Sequence, residues 1–197
     1  ISGNLCSGNI KVEDKLQPTM LCPADISVLC IDDPTNLDLT GEPVVDDCSP
    51  YNVQWQDTLT EYSCAENSVV KMLINRAFIA TDVWGNVGQC VQNITVLRGE
   101  LDLVTFPADQ TYTCATAPTS LHPTKTGWPQ VSGVNLPSPG TSNCGMGSSF
   151  TDELVQECPG SYYVVRTWKV FDFCPSGGGL PTNLEHVQFI NVGDLPP

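Results

Sequence analysis

Arg76-Ala-Phe-Ile-Ala-Thr-Asp82, Val83-Trp-Gly-Asn86 and Cys90-Val-Gln-Asn-Ile-Thr-Val96 read as a strand, a turn and a second strand. Phe78 and Ala80 share one parity, and Ala77, Ile79 and Thr81 the other. That is the pattern of a pleated element with one wetter face. Gly85-Asn86 supplies residues that tolerate positive φ in a tight connection. The unit returns as Arg166-Thr-Trp-Lys-Val-Phe-Asp172 and Val187-Gln-Phe-Ile-Asn-Val192. Two such endings make a repeat, and the repeat governs how the remaining chain is read.

Pro23-Ala-Asp-Ile-Ser-Val-Leu-Cys30 aligns with Pro107-Ala-Asp-Gln-Thr-Tyr-Thr-Cys114 at an offset of 84 residues. Cys6-Ser-Gly-Asn-Ile-Lys-Val12 aligns with Cys90-Val-Gln-Asn-Ile-Thr-Val96 at the same offset of 84. Residues 1–12 are therefore expected to be the last strand of a preceding repeat. The offset rises to 96 between Cys48 and Cys144 and settles at 90 between Asp82 and Asp172. The added residues fall in Pro137-Ser-Pro-Gly-Thr-Ser142 and Ser176-Gly-Gly-Gly179, which have loop composition. Modules are expected at 13–97 and 98–192, with 193–197 opening a further linker. No stretch offers apolar residues at helical spacing for three turns. Short runs of Ile, Val, Thr and aromatics between turn residues predict an all-β protein. At this period the prediction is tandem immunoglobulin-like β-sandwich domains stabilised by disulfides.

The bulk numbers agree. A chain of 197 residues allows one or two domains. A net charge of −14 and a pI near 4.1 argue against nucleic acid, whose phosphates select basic surfaces. Ten cysteines without one C-x-x-C pair point to disulfides rather than zinc. The compartment expected is then oxidising: outside the cell, or a periplasm. No run reaches the ~18 apolar residues of a membrane span. Ile1-Ser-Gly-Asn4 has neither a basic start nor an apolar stretch. The chain is thus expected to be a mature product or a piece of a longer one.

Differences between the copies constrain the bridges. Cys22 aligns with Phe106 and Cys90 with His186, so both cysteines are lost together in the second copy. Cys22–Cys90 is the pairing expected. Cys30 and Cys114 end the first strand of each module, and Cys64 and Cys158 precede the long hairpin. In a sandwich those positions share a pole, which predicts Cys30–Cys64 and Cys114–Cys158. Cys144 and Cys174, in loops at the opposite pole, form the remaining expected pair. Trp84 replaces the Cys174 equivalent in the first copy and leaves Cys48 without that mate. Either Cys6 pairs with Cys48 across the joint, or both are free.

Cys-Pro-Ala-Asp at 22–25, Asp-Asp-Cys at 46–48, Ala-Thr-Asp at 80–82, Trp-Gly-Asn at 84–86 and Cys-Val-Gln-Asn-Ile-Thr-Val at 90–96 resemble hyalin-repeat (HYR-like) modules. Val12-Glu-Asp-Lys-Leu-Gln-Pro18 resembles the linker between such modules. The likeness is greatest to tandem arrays in giant cell-surface proteins of Bacteroidetes, the Saprospira-like group especially. It covers nearly the whole chain, and the second copy departs from it at Phe106 and His186. It implies an immunoglobulin-like fold, an extracellular cell-surface role in adhesion or as a stalk or filament, and export by the type IX route.

Candidate chemistry is sparse. Asp46, Asp47 and Asp82 are expected in loops at one pole of the first module, near Glu13 and Asp14 in the linker. Calcium takes six to eight oxygens, and carboxylates converging at a joint could supply them, although no Asp-x-Asp-x-Asp-Gly loop is present. Glu100, Asp102 and Asp172 form a thinner version further on. His122 and His186 have no metal-ligand spacing. Ser148-Ser149 lacks a Gly-x-Ser-x-Gly elbow. No catalytic residue and no cofactor other than calcium is expected, and the protein reads as not an enzyme. Thr58 in Asp57-Thr-Leu59 is a candidate O-glycosylation acceptor, whereas the sequon Asn93-Ile-Thr95 reads as strand. Trp55 and Trp168 alternate with apolar neighbours and are expected in the core. Trp84 and Trp128 are the candidates for exposure. Arg76 and Arg166 should lay their stems on the core edge and offer their guanidiniums to a carboxylate or carbonyl.

The function expected is mechanical. Bridged modules act as stalk or filament of a long extracellular surface protein, with neighbouring repeats as partners. Like chains in a fibre are further partners, and residues 1–12 could add to a neighbour's sheet edge. The alternatives are a module binding glycan or protein through exposed loops, and a non-catalytic appendage of a secreted enzyme.

Overall fold

The computed structural model describes residues 12–136, 144–158, 161–175 and 179–193. The described chain divides into two compact units. One draws on Ile1–Ile26, Pro34–Leu59 and Ile74–Ile94, the other on Ser27–Asp33, Thr60–Leu73 and Thr95–Pro197. The fold is all-β, with its strands gathered into four sheets among the described residues.

The first repeat runs β1 (Thr19–Leu21), β2 (Ile26–Leu29), α1 (Leu37–Thr40), β3 (Val44–Asp46), β4 (Tyr51–Glu61), β5 (Val70–Asp82) and β6 (Val87–Leu97). β1 pairs antiparallel with β3, and the larger sheet has the order β2-β6-β5-β4. The second repeat runs β7 (Val104–Thr105), β8 (Gln110–Tyr112), α2 (Pro123–Thr126), β9 (Gln130–Val131), β10 (Val134–Asn135), β11 (Met146–Cys158), β12 (Ser161–Asp172) and β13 (Thr182–Val192). Its sheets have the orders β10-β9-β7 and β11-β12-β13-β8, with β8 parallel to β13. The element order repeats almost strand for strand, as the sequence period requires. α1 and α2 are single turns, capped by side chains of Asn36 and His122.

Alternation explains the central strands. On β5, Ile74, Arg76, Phe78, Ala80 and Asp82 are buried. On β12 the same face carries Val164, Arg166, Trp168, Val170 and Asp172. The turn after β5 is closed by Asp82, whose Oδ1 accepts from the backbone N–H groups of Trp84 and Asn86, both at 2.8 Å. Gly85 sits there at φ +85°, a conformation an L side chain strains to reach.

The arginines go deeper than the core edge. Both side chains are fully buried. Arg76 grips Asp57 with Nε and Nη2, each at 2.8 Å, and donates to Thr40 Oγ1 at 3.0 Å and Pro34 O at 2.9 Å. Arg166 repeats this with Asp152 at 2.7 and 2.8 Å, Thr126 Oγ1 at 2.6 Å and Leu121 O at 2.6 Å. A buried guanidinium is tolerated only when its donors are met, and four are met in each repeat. Gln92 and Gln188 complete the frame: Nε2 of each donates to Ala24 O and Thr40 O, or to Ala108 O and Thr126 O.

The disulfides correct the sequence reading. Cys22 is bonded to Cys90. Cys30 is bonded to Cys144 and Cys64 to Cys174, in place of the expected Cys30–Cys64 and Cys144–Cys174 pairs. The expectation took each repeat as closed on itself. In the folded chain Ser27–Asp33 and Thr60–Leu73 belong to the same compact unit as Cys144 and Cys174. Thiols of the second repeat therefore meet thiols of the first. The core there is shared too: Ile31 packs with Leu101, Val104 and Phe106 against buried Val131, Leu136, Met146 and Val170. Cys48 is exposed and in no disulfide among the described residues. Cys6 and the side chain of Cys158 lie outside the described residues, and with them the expected Cys6–Cys48 and Cys114–Cys158 bridges.

Candidate functional site

Three of the five expected cation ligands meet. One carboxylate oxygen from each of Asp14, Asp47 and Asp82 lies within 4.8 Å of the others. Asp82 ends β5, Asp47 follows β3, and Asp14 comes from the linker. The linker is held in place by two contacts: Asn86 Nδ2 donates to Asp14 O at 3.2 Å, and Pro18 packs on Gly88. A Cβ at Gly88 would stand 2.1 Å from Pro18 O, so only glycine permits this approach.

Three acids this close repel unless donors or a cation lie among them. Donors are present. Ser49 gives its N–H at 3.1 Å and its hydroxyl at 2.7 Å to Asp47 Oδ2, and Asn86 Nδ2 gives 2.8 Å to Asp82 Oδ2. Burial pushes the Asp82 carboxyl upward, but bonds from the Asn86 side chain and from the backbone of Asn86, Trp84 and Gly85 outweigh it and hold the acid below its ordinary value. The donor set is all oxygen, which suits a hard divalent cation rather than zinc or copper.

Asp46 and Glu13 stand apart from the cluster. Asp46 is exposed opposite Thr19 in the β1–β3 pair, and Glu13 is paired with Lys15 at 2.7 Å. Glu100, Asp102 and Asp172 make no second cluster among the described residues. Asp172 instead accepts from the Cys174 N–H at 2.8 Å.

Other expected positions find structural work. His122 caps α2, accepting at Nδ1 from the Thr124 N–H at 3.3 Å. His186 stacks on Phe106. Ser148 is buried and donates to Leu136 O at 2.9 Å. Asn93 gives its amide nitrogen to Asp25 at 3.1 Å. Thr58 is exposed on β4, the last strand of its sheet, while the neighbouring Asp57 is held by Arg76. Val12, where the described chain begins, is exposed and in no strand.

The tryptophans divide differently from expectation. Trp168 is fully buried, but Trp55 is 44% exposed. It faces the same side of β4 as Asp57, on the last strand of its sheet. Trp84 is exposed as expected, whereas Trp128 is half-buried against Trp168, Phe150 and His122. The sequence reading singled out neither Asp57 nor Thr40 as partner to Arg76. Both sit at repeat-related positions, with Asp152 and Thr126 as counterparts, and that was the signal available.

No protein-family model and no curated protein matches the chain. Among solved structures it is similar to human CDH23 EC21-23, at 12% identity and a TM-score of 0.32 over 91% of this chain and 70% of that one. Human mucin-like protocadherin EC1-2 matches at 12% identity and a TM-score of 0.27, over 88% of this chain and 98% of that one. Drosophila N-cadherin EC1-4 matches at 10% and 0.30, over 91% and 50%. Similarity at this level carries no functional argument. The disulfides on their own place the folded chain in an oxidising compartment.

Proposed function

We propose that this chain is a structural and adhesive segment of a long extracellular surface protein, a stalk or filament building block of the HYR-like kind found in Bacteroidetes. One observation carries the reading: the same Arg–Asp–Thr–Gln frame, with its arginine, threonine and glutamine buried, is built twice in succession. The internal bonds of this frame tie distant segments of each repeat together and stiffen it. Bridges between segments of consecutive repeats, Cys30–Cys144 and Cys64–Cys174, suit a part that must resist pulling. Repeats of the same chain are its first partners in this reading, with sequence modules 13–97 and 98–192 as the repeating units, although segments 27–33 and 60–73 of the first fold with the second. Calcium at Asp14, Asp47 and Asp82 belongs to this proposal on the chemistry of the donors.

Stretching a single tethered chain tests the mechanical role. The oxidised chain should resist extension across the Cys30–Cys144 and Cys64–Cys174 loops, and reductant should release them as added contour length. Equal extension with and without reductant would defeat the reading. For the cation, calcium should raise the melting temperature and Asp47→Asn should cancel the rise. Melting indifferent to calcium and chelator would mean that Ser49 and Asn86 alone hold the acids.

A further inference from the structure

We propose that the first repeat carries a niche for an aromatic side chain of a basic partner segment. The niche is independent of the stalk role. Both repeats build the same frame around their arginine, and the frame locates equivalent positions. In the second, Trp128 lies two residues past Thr126, Phe150 two before Asp152 and Trp168 two past Arg166. These rings pack together, Trp128 at 5.7 Å from Trp168 and 6.2 Å from Phe150. In the first, the same steps from Thr40, Asp57 and Arg76 lead to Glu42, Trp55 and Phe78.

The indole that fills the second repeat is thus a carboxylate in the first. A cavity of about 210 Å³ lies there, lined by Leu37, Glu42, Pro43, Val53, Trp55 and Phe78. Its aromatic wall, Trp55, is left 44% exposed, with the Arg76 guanidinium 5.8 Å from its ring.

The second repeat shows what this frame accepts: an indole, packed obliquely on aromatic walls. The rim charge sets the company it keeps. Glu42 is exposed at the mouth, and the chain carries a net charge of −14. Both favour a cationic neighbour beside the incoming ring, and both disfavour a second copy of this chain. A pyranose needs several hydrogen-bonding groups, whereas of the six lining side chains only Glu42 and Trp55 offer any.

The test is an NMR titration of the full chain with the tripeptide amide Lys-Trp-Lys. Saturable shifts are expected at Leu37, Val53 and Phe78. Glu42→Trp, which copies the second repeat, should keep the dispersed spectrum and weaken binding at least about tenfold. Glu42→Gln should reduce the preference for Lys-Trp-Lys over neutral N-acetyl-tryptophanamide. No saturable shift in the parent chain, or shifts untouched by both variants, overturns the proposal. Saturation by a methyl glycoside in place of the peptide also overturns it, in favour of a glycan.

Discussion

Phe106 and His186 stack with ring centroids 4.5 Å apart and planes 19° from parallel, at the positions that hold the Cys22–Cys90 disulfide in the first repeat. A covalent staple and a ring stack thus occupy one place in the frame. The exchange is reversible in principle, because the frame around both pairs is the same.

Replacing both residues, Phe106→Cys with His186→Cys, should therefore form a bridge without reshaping the backbone. The Cα–Cα distance at the parent bridge is 5.7 Å, within the normal span for a disulfide. A gain of about 2–4 kcal/mol is expected from the closed loop, less what the stack contributed. Non-reducing peptide mapping and urea melts check this. Two free thiols in the folded double variant would show that the sites are not equivalent.

Removing one partner of the buried ion pair should be costly. Asp57→Ala leaves the Arg76 guanidinium buried without its carboxylate, at a cost of about 3–5 kcal/mol. Asp152→Ala should cost less, because the Asp152 side chain is 35% exposed against 21% for Asp57, and water can stand in. Urea denaturation of the two variants orders them. Equal losses under about 1 kcal/mol would mean that the pairs behave as surface ion pairs.

Gln92 Oε1 is buried and has no hydrogen-bond partner among the described residues. In the second repeat the matching Gln188 Oε1 accepts from Trp168 Nε1 at 3.2 Å. Phe78 stands at the Trp168 position and has no N–H to give. Phe78→Trp should supply it and stabilise the chain by about 1 kcal/mol, since the cavity beside Phe78 leaves room for the larger ring. A lowered melting temperature would show that strain from overpacking prevails.

Asp25 gives an acid-side prediction. Its carboxylate accepts from the Asn93 N–H at 2.7 Å and from the Asn93 side-chain amide at 3.1 Å. These bonds, the backbone one foremost, hold its pKa below the ordinary value despite some desolvation. The folded value being the lower, the stabilisation is complete above the unfolded carboxylate pKa of about 3.9 and is lost as pH falls through the folded one. Asp25→Asn should flatten the decline in melting temperature below about pH 4. An unaltered acid limb would contradict the linkage.

The repeat, the hairpin and the inward parity of Arg76 and Phe78 were legible because each is fixed within a few residues. Alternation chooses a face and Gly85-Asn86 makes a turn, whatever the rest of the chain does. The joint loss of Cys22 and Cys90 was legible for a related reason, as two copies of one frame can be compared position by position. The partners of Cys30 and Cys64 were not. They depend on which distant loops arrive beside them, and segments of the first repeat arrive beside Cys144 and Cys174. The same holds for Asp14, which joins Asp47 and Asp82 while Asp46, adjacent in sequence, turns away to pair with β1. Trp55 shares its parity with Asp57, yet the edge of a sheet leaves it half uncovered. Sequence determined which way each side chain points along its strand. Only the tertiary path decided what it meets there, because contacts between distant segments depend on where the whole chain has gone.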